Sequence, residues 1–191
     1  MIGITSEQAA RVESILNGIQ GGPEKAFFNV INRALDTVRV ETGRQIRTVY
    51  AIRQKDLRAE SNIRMKKASA GDLVGEIAFS SGIIPLYRFN VTPKQPTPTQ
   101  RTKVKAAVLK SSSQEEFEHA FIARMKSGHV GMFERETRSR IPIREFPGPS
   151  IKAMVENAVV IEQVEKAANE TIEKRIIQEV SRILAGYGGR S

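Results

Sequence analysis

A chain of 191 residues with 40% apolar and 27% charged side chains has the make-up of one water-soluble domain with its own core, which excludes wholesale disorder. No run approaches the roughly 18 apolar residues of a membrane span, and the absence of cysteine excludes disulfides, thiolate metal sites and cysteine nucleophiles. Thirty Lys and Arg against 21 Asp and Glu leave a formal charge of +9, and two histidines, His119 and His129, are too few for a histidine-rich metal centre.

Residues 5–19 open on a Thr or Ser cap signal and carry Ala9, Val12, Ile15, Leu16 and Ile19 on one helical face, before Gly18, Gly21 and Gly22 break the pattern. A longer helix is predicted from Pro23, whose missing N–H has no helical partner in a first turn. Its apolar line is Phe27, Ile31, Leu35, Val38, Ile46 and Val49, with a gap at Thr42. Arg33, Arg39, Arg44 and Arg47 mark the other side, either a solvated basic face or a contact surface. Residues 52–62 predict a turn and a short helix anchored by Leu57. The periodicity then changes. Residues 62–69, 73–80 and 84–91 are short runs separated by Ala70-Gly71-Asp72 and Ser81-Gly82, which predicts a three-stranded antiparallel meander whose middle run buries Ile77 and Phe79. Residues 92–102 hold three prolines and no large apolar side chain, hence an exposed loop. Residues 104–109 are the next strand, 111–113 a turn, and 114–119 a connection in which Glu115, Glu116 and Glu118 form a solvated acidic run.

The block 120–150, AFIARMKSGHVGMFERETRSRIPIREFPGPS, predicts a β-hairpin turning at Ser127-Gly128, a charged loop from Glu134 to Arg140, and one more extended piece. Arg124 with Lys126, and Arg138 with Arg140, alternate so that each pair shares a face, either as edge protection or as an intersubunit contact. Pro147 and Pro149 end the ladder, and Pro149-Ser150 hands the chain to a long helix. Its stripe is Ile161, Val164, Ala168, Ile172, Ile176, Val180 and Ile183, with Asn157 as the cap of a fresh piece and Gly186 as the stop. The stripe fits packing on a sheet or against a second copy equally well.

The positive charge is unevenly spread. Residues 84–114 hold six basic side chains and no acidic one, residues 33–67 ten basic and four acidic, and residues 152–191 six of each. Such a field suits nucleic acid or an acidic protein surface. No phosphate-binding glycine loop, dinucleotide fingerprint or H-E-x-x-H motif is present, and His129 beside Gly128 is weighed as a general base but suits a hydrogen-bonded turn residue better. The expectation is a protein without enzymatic turnover and without cofactor or metal. A basic nucleic-acid-binding module is the alternative, against which the aromatics count: no Trp, three Tyr and eight Phe, mostly at core positions.

FIARMKSGHVGMFER followed by RIPIREFPGPSI resembles the signature of the phage minor tail protein Z family, and the similarity extends to GGPEKAFFNVINRAL, to YAIRQKDLRA and to the last helix. The resemblance implies a structural tail completion protein, built in the host cytoplasm and carried in the virion at the head-proximal end of the tail. It implies a homo-oligomer, a sixfold ring beside the tail terminator, tape measure and connector proteins, with DNA contact in the channel and no membrane. The fold expected is a single α+β domain over residues 1–191: a helix and linker (1–22), a helical segment (23–61), a β-rich core of mostly antiparallel sheet (62–147), and a long C-terminal helix packed on the sheet (148–191). Arg124, Gly128, His129, Gly131, Arg138, Arg140, Arg144, Pro147 and Pro149 are the residues expected to shape interfaces or the signature loop.

Overall fold

The first helix, α1 (Ser6–Ile15), starts where the cap signal stands: Oγ1 of Thr5 accepts from the Gln8 amide and the Gln8 side chain accepts from the Thr5 amide, closing a capping box. In the computed structural model, which describes residues 2–96 and 103–187, α2 follows as Gly22–Val49, with Pro23 in its first turn. The gap in its apolar line closes in an unforeseen way. Thr42 is buried, and its hydroxyl donates to the Val38 carbonyl at 2.7 Å, so the polar atom is satisfied within the helix. The short helix α3 (Gln54–Glu60) buries Leu57 as expected.

The α+β class is borne out: helices first, antiparallel strands in the middle, a long helix last. The strands form three small sheets. β1 (Asn62–Lys66) pairs with β2 (Glu76–Ser80), β3 (Asn90–Thr92) with β4 (Val104–Ala107) and β5 (Glu115–Phe117), and β6 (Ala120–Arg124) with β7 (Val130–Arg135) and β8 (Ile143–Glu145). In β2 the alternation holds, with Ile77 and Phe79 half-buried between exposed neighbours.

The expected three-stranded meander is corrected. Its first two runs pair with each other, but residues 84–91 do not extend that sheet. Pro85 brings no amide donor, Leu86–Arg88 curls into a 3-10 turn closed by the Phe89 amide on the Leu86 carbonyl, and only then does β3 begin, against β4. The acidic connection 114–119 is corrected too, since it contains β5, in register with β4 through Lys105 opposite Glu116. The Pro-rich loop falls largely outside the described residues, which resume at 103.

The C-terminal segment is split where Asn157 suggested. Ser150 caps α4 (Ile151–Val155), and the Asn157 side chain accepts from the Val159 amide at 3.1 Å as α5 (Ala158–Arg182) starts. This restart sets the phase: Val160, not Ile161, is the buried residue of the first turn, followed by Val164, Ala168, Ile172, Val180 and Ile183. Gly186, at φ 79°, ends the helical backbone as expected.

The residues group into two compact units, each assembled from separated stretches of chain. The first (Met1–Thr42, Ile63–Ala78 and Ile161–Ser191) has a helical core. Val12 of α1 and Leu16 at its C-terminal cap, Ala26 and Phe27 of α2, and Val180 and Ile183 form one cluster; Val30, Ala34 and Ile172 form another. Asn32 holds the chain ahead of β2 by bonding both the amide and the carbonyl of Ala68, each at 2.9 Å. The second unit (Gly43–Asn62 and Phe79–Val160) contains the two three-stranded sheets, with Ile84, Phe89, Val91, Val104, Met132, Ile151 and Met154 almost wholly buried.

Candidate functional site

The signature block occupies β6, β7 and β8 and the turn into α4, all in the second unit. Alternation assigns its faces. Ala120, Ile122 and Met132 share one face and are buried, while Phe121, His129, Gly131, Phe133 and Glu145 share the other, where Gly131 and Phe133 are buried as well. Gly128 takes φ 86° in the hairpin turn, and the amide of Met125 donates to the His129 carbonyl at 2.7 Å across it. Nε2 of His129 lies 2.8 Å from Oε1 of Glu145, and its ring meets Phe133 edge-on at 6.2 Å. Gly131 makes this possible. A Cβ there would run into that same Glu145 oxygen and stand 2.8 Å from the Phe133 ring, so the carboxylate and the aromatic hold these places because the backbone between them is bare. Phe133 leans on Phe121, centroids 6.2 Å apart, and the Arg135 guanidinium sits 5.2 Å from the Phe121 ring. Arg144 pairs with Glu134 directly opposite it on β7, and that hydrogen bond raises the guanidinium pKa further above its ordinary value.

The residues singled out from the sequence therefore separate. Gly128, His129 and Gly131 gather at the turn end of the hairpin, where Arg124 reaches the Gly128 carbonyl at 3.4 Å. Arg138 and Arg140 lie exposed in the bends after β7, at the other end; the Arg140 carbonyl accepts from Arg135 at 2.7 Å. Neither basic pair shares a strand as the alternation suggested, because Lys126 is already in the turn. Pro147 bridges to Pro85, and Pro149 is half-buried just before the Ser150 cap. Gly148 between them was missed. Its amide donates to the Ile84 carbonyl at 2.7 Å, and a Cβ would come within 2.8 Å of that oxygen. Glu145 and Phe133 were missed as well, since only the register reveals that they face Gly131.

A second cluster has no motif at all. Asp56, 3% exposed, accepts from Arg53 Nε at 2.6 Å and from Arg88 Nη1 at 3.3 Å, while Arg88 Nη2 lies 3.6 Å from Glu60. Nearby, the Lys94 ammonium donates to the Phe89 carbonyl at 2.8 Å. Partial burial and then the like charge of Arg53 hold its pKa below the usual lysine value, against the pull of Asp56. In the β4–β5 pair, Lys103 lies 2.5 Å and Lys105 3.7 Å from Glu116, which lowers the Glu116 pKa and raises that of Lys103. The acidic run thus offsets part of the basic run opposite it, a signal available in the K-x-K and E-x-E alternation of the two strands.

The fold and these sites define an α+β protein whose named side chains are occupied in turns, cross-strand pairs and close backbone packing; among the described residues there is no group of three or more His, Asp or Glu placed to hold a metal ion. Family comparison makes the assignment specific. The chain belongs to the prophage minor tail protein Z family, whose profile matches residues 7–187, and has a structural role in a phage tail. No curated protein and no solved structure matches the chain. No described helix is long and apolar enough to cross a membrane.

Proposed function

We propose that this protein is a tail completion protein acting at the head-proximal end of the tail. Copies close there into a sixfold ring that joins tail tube, tail terminator and tape measure protein to the head–tail connector. The observation that carries this reading is family membership over almost the whole chain. A ring follows from heterologous contacts whose rotation closes, and the part of the β6–β8 face around the buried Phe133 that stays half-buried or exposed, Phe121, Arg135 and the His129–Glu145 pair, is the surface we assign to a neighbour. The subunit works as a single domain, made in the host cytoplasm and carried in the virion, without cofactor and without turning a substrate over.

Internal pairing favours protein neighbours over the reading as a nucleic-acid-binding module. Arg88, Lys103 and Lys105, three of the six basic residues in the stretch 84–114, are engaged by acids of the same unit. Six cations of the signature block are exposed, of which Arg144 pairs with Glu134, and Arg124, Lys126, Arg135, Arg138 and Arg140 face an acidic neighbouring ring or the DNA in the channel. The test is electron microscopy of purified tails with gold-labelled antibody against this chain. Label at the head-proximal tip, and unjoined heads and tails when the gene is deleted, are the expected results. Steeply salt-dependent binding of bare DNA by a protein missing from particles would replace this reading with the nucleic-acid one.

A further inference from the structure

Two strands end their sheets with opposite charge. β1 is an edge of the two-stranded ribbon, and β5 is an edge of the β3–β4–β5 sheet. Among the described residues neither makes a backbone–backbone hydrogen bond beyond its own sheet, so each offers a row of amides and carbonyls to another strand. Of the strands at sheet edges, β1 alone carries two cations, Arg64 and Lys66, with Lys67 directly after them. β5 alone carries two acids, Glu115 and Glu116, with Glu118 close behind. Charges that served only to keep edges apart would work best with one sign on both, whereas opposite signs draw the edge of one copy to the other edge of the next. The ribbon also lacks a covered face. No side chain of β1 or β2 is buried, and two strands in that condition are marginal in water without a further strand.

The faces of the two strands agree as well. In the β4–β5 register Lys105 stands opposite Glu116 and Val104 opposite Phe117, so β5 has a charged face at Glu116 and an apolar one at Phe117. An antiparallel β1 with Arg64 opposite Glu116 brings Ile63 opposite Phe117 and Met65 opposite Glu115. Charge then alternates across three strands as Lys105, Glu116, Arg64, while Ile63, 39% exposed in the single chain, covers the half-buried Phe117 beside the buried Val104. A slip of one residue sets Arg64 against Phe117 and loses both matches. Lys66 is already held by Asp72 at 2.9 Å, which leaves Arg64 as the unpaired cation of the strand among the described residues. We infer that β1 of one copy adds to β5 of the next as the following strand of its sheet, a head-to-tail contact between two different edges. It names the contact that closes the proposed ring and rests on that reading for closure alone, since strand addition needs no other tail protein.

The chain has no cysteine, so introduced thiols report the register directly. Opposite residues of an antiparallel pair lie within disulfide reach. Purified Met65→Cys and Glu115→Cys chains, mixed at equal concentration under oxidising conditions, give a linked dimer with one chain of each kind, and the Arg64–Glu116 pair stays intact in both. Lys66→Cys, on the other face of β1, does not link to Glu115→Cys. The double Met65→Cys/Glu115→Cys chain gives a ladder extending above the dimer, because each copy offers both edges. In sedimentation equilibrium R64E weakens self-association of the full chain about tenfold by setting acid against acid, with circular dichroism unchanged because Arg64 is exposed. A wild-type chain that stays monomeric at its solubility limit, equal linking through Lys66→Cys, a double variant that stops at the dimer or closes within one chain, or an R64E chain that associates normally overturns the inference. None of these results bears on where the chain sits in the tail, and a different location in the particle leaves the strand addition standing, so the two readings fail separately.

Discussion

Replacing Gly148 with alanine tests the closing turn of the signature block. The added Cβ would lie 2.8 Å from the Ile84 carbonyl oxygen and 2.7 Å from Cε2 of Phe89, where ordinary contact begins at 3.4 Å. The methyl group is therefore short of room by about 0.6 Å against a backbone atom. That oxygen cannot swing aside without moving the main chain, and Phe89 is buried, only 1% exposed. Overpacking of this kind costs about 1–3 kcal/mol, and the stiffer unfolded chain offsets about 0.4–1 kcal/mol of it. The net loss is about 1–2 kcal/mol, which in a chain of this size lowers Tm by about 2–8 °C. Thermal melts and urea titrations with an unchanged m value read it directly. Gly82→Ala is the control, because nothing lies within 4 Å of a Cβ at Gly82 and its φ is not positive. A Gly148→Ala protein as stable as wild type, beside a Gly82→Ala control that is also neutral, would refute the reasoning.

Three further outcomes follow from the same geometry. Asp56→Ala leaves Arg53 and Arg88 without the buried carboxylate that they share, at 2.6 and 3.3 Å; a loss of about 1–3 kcal/mol in urea unfolding is expected. Asn157→Ala removes the acceptor of the Val159 amide at the α4–α5 break and lowers stability by about 1 kcal/mol, seen as a lower Tm. Hydrogen bonding by Lys103 holds the Glu116 carboxyl below its ordinary value of 4.5. A carboxyl depressed in the folded state contributes stability above its unfolded value and loses that contribution as pH falls through its folded one. In Lys103→Met the NMR titration of Glu116 accordingly moves up, and the fall of Tm with acid between the ordinary value and lower pH becomes shallower.

What could be read from the sequence was local. The Thr5 cap, the Gly128 turn, the Asn157 restart and the Gly186 stop are each set by one or two residues acting on their own backbone, and all four stand where expected. Pairing between distant runs was not local. Whether residues 84–91 join β2 or feed β3 depends on the Phe146 carbonyl, about sixty residues later in the sequence, accepting from Leu86. The acidic run became β5 only because Lys103 and Lys105 lie opposite it. The phase of α5 shifted by one residue, from Ile161 to Val160, since both are aliphatic and periodicity alone did not choose. In the signature block the sequence indicated which glycines to watch, Gly128 and Gly131, but not Glu145 and Phe133, the groups that Gly131 makes room for.

Cryo-electron microscopy of the head–tail junction of intact particles is the most direct measurement of the central claim. It should reveal a closed ring of six copies of this chain between the tail tube and the connector, with the β6–β8 face against a neighbouring protein. Particles whose junction is complete without this chain would contradict it.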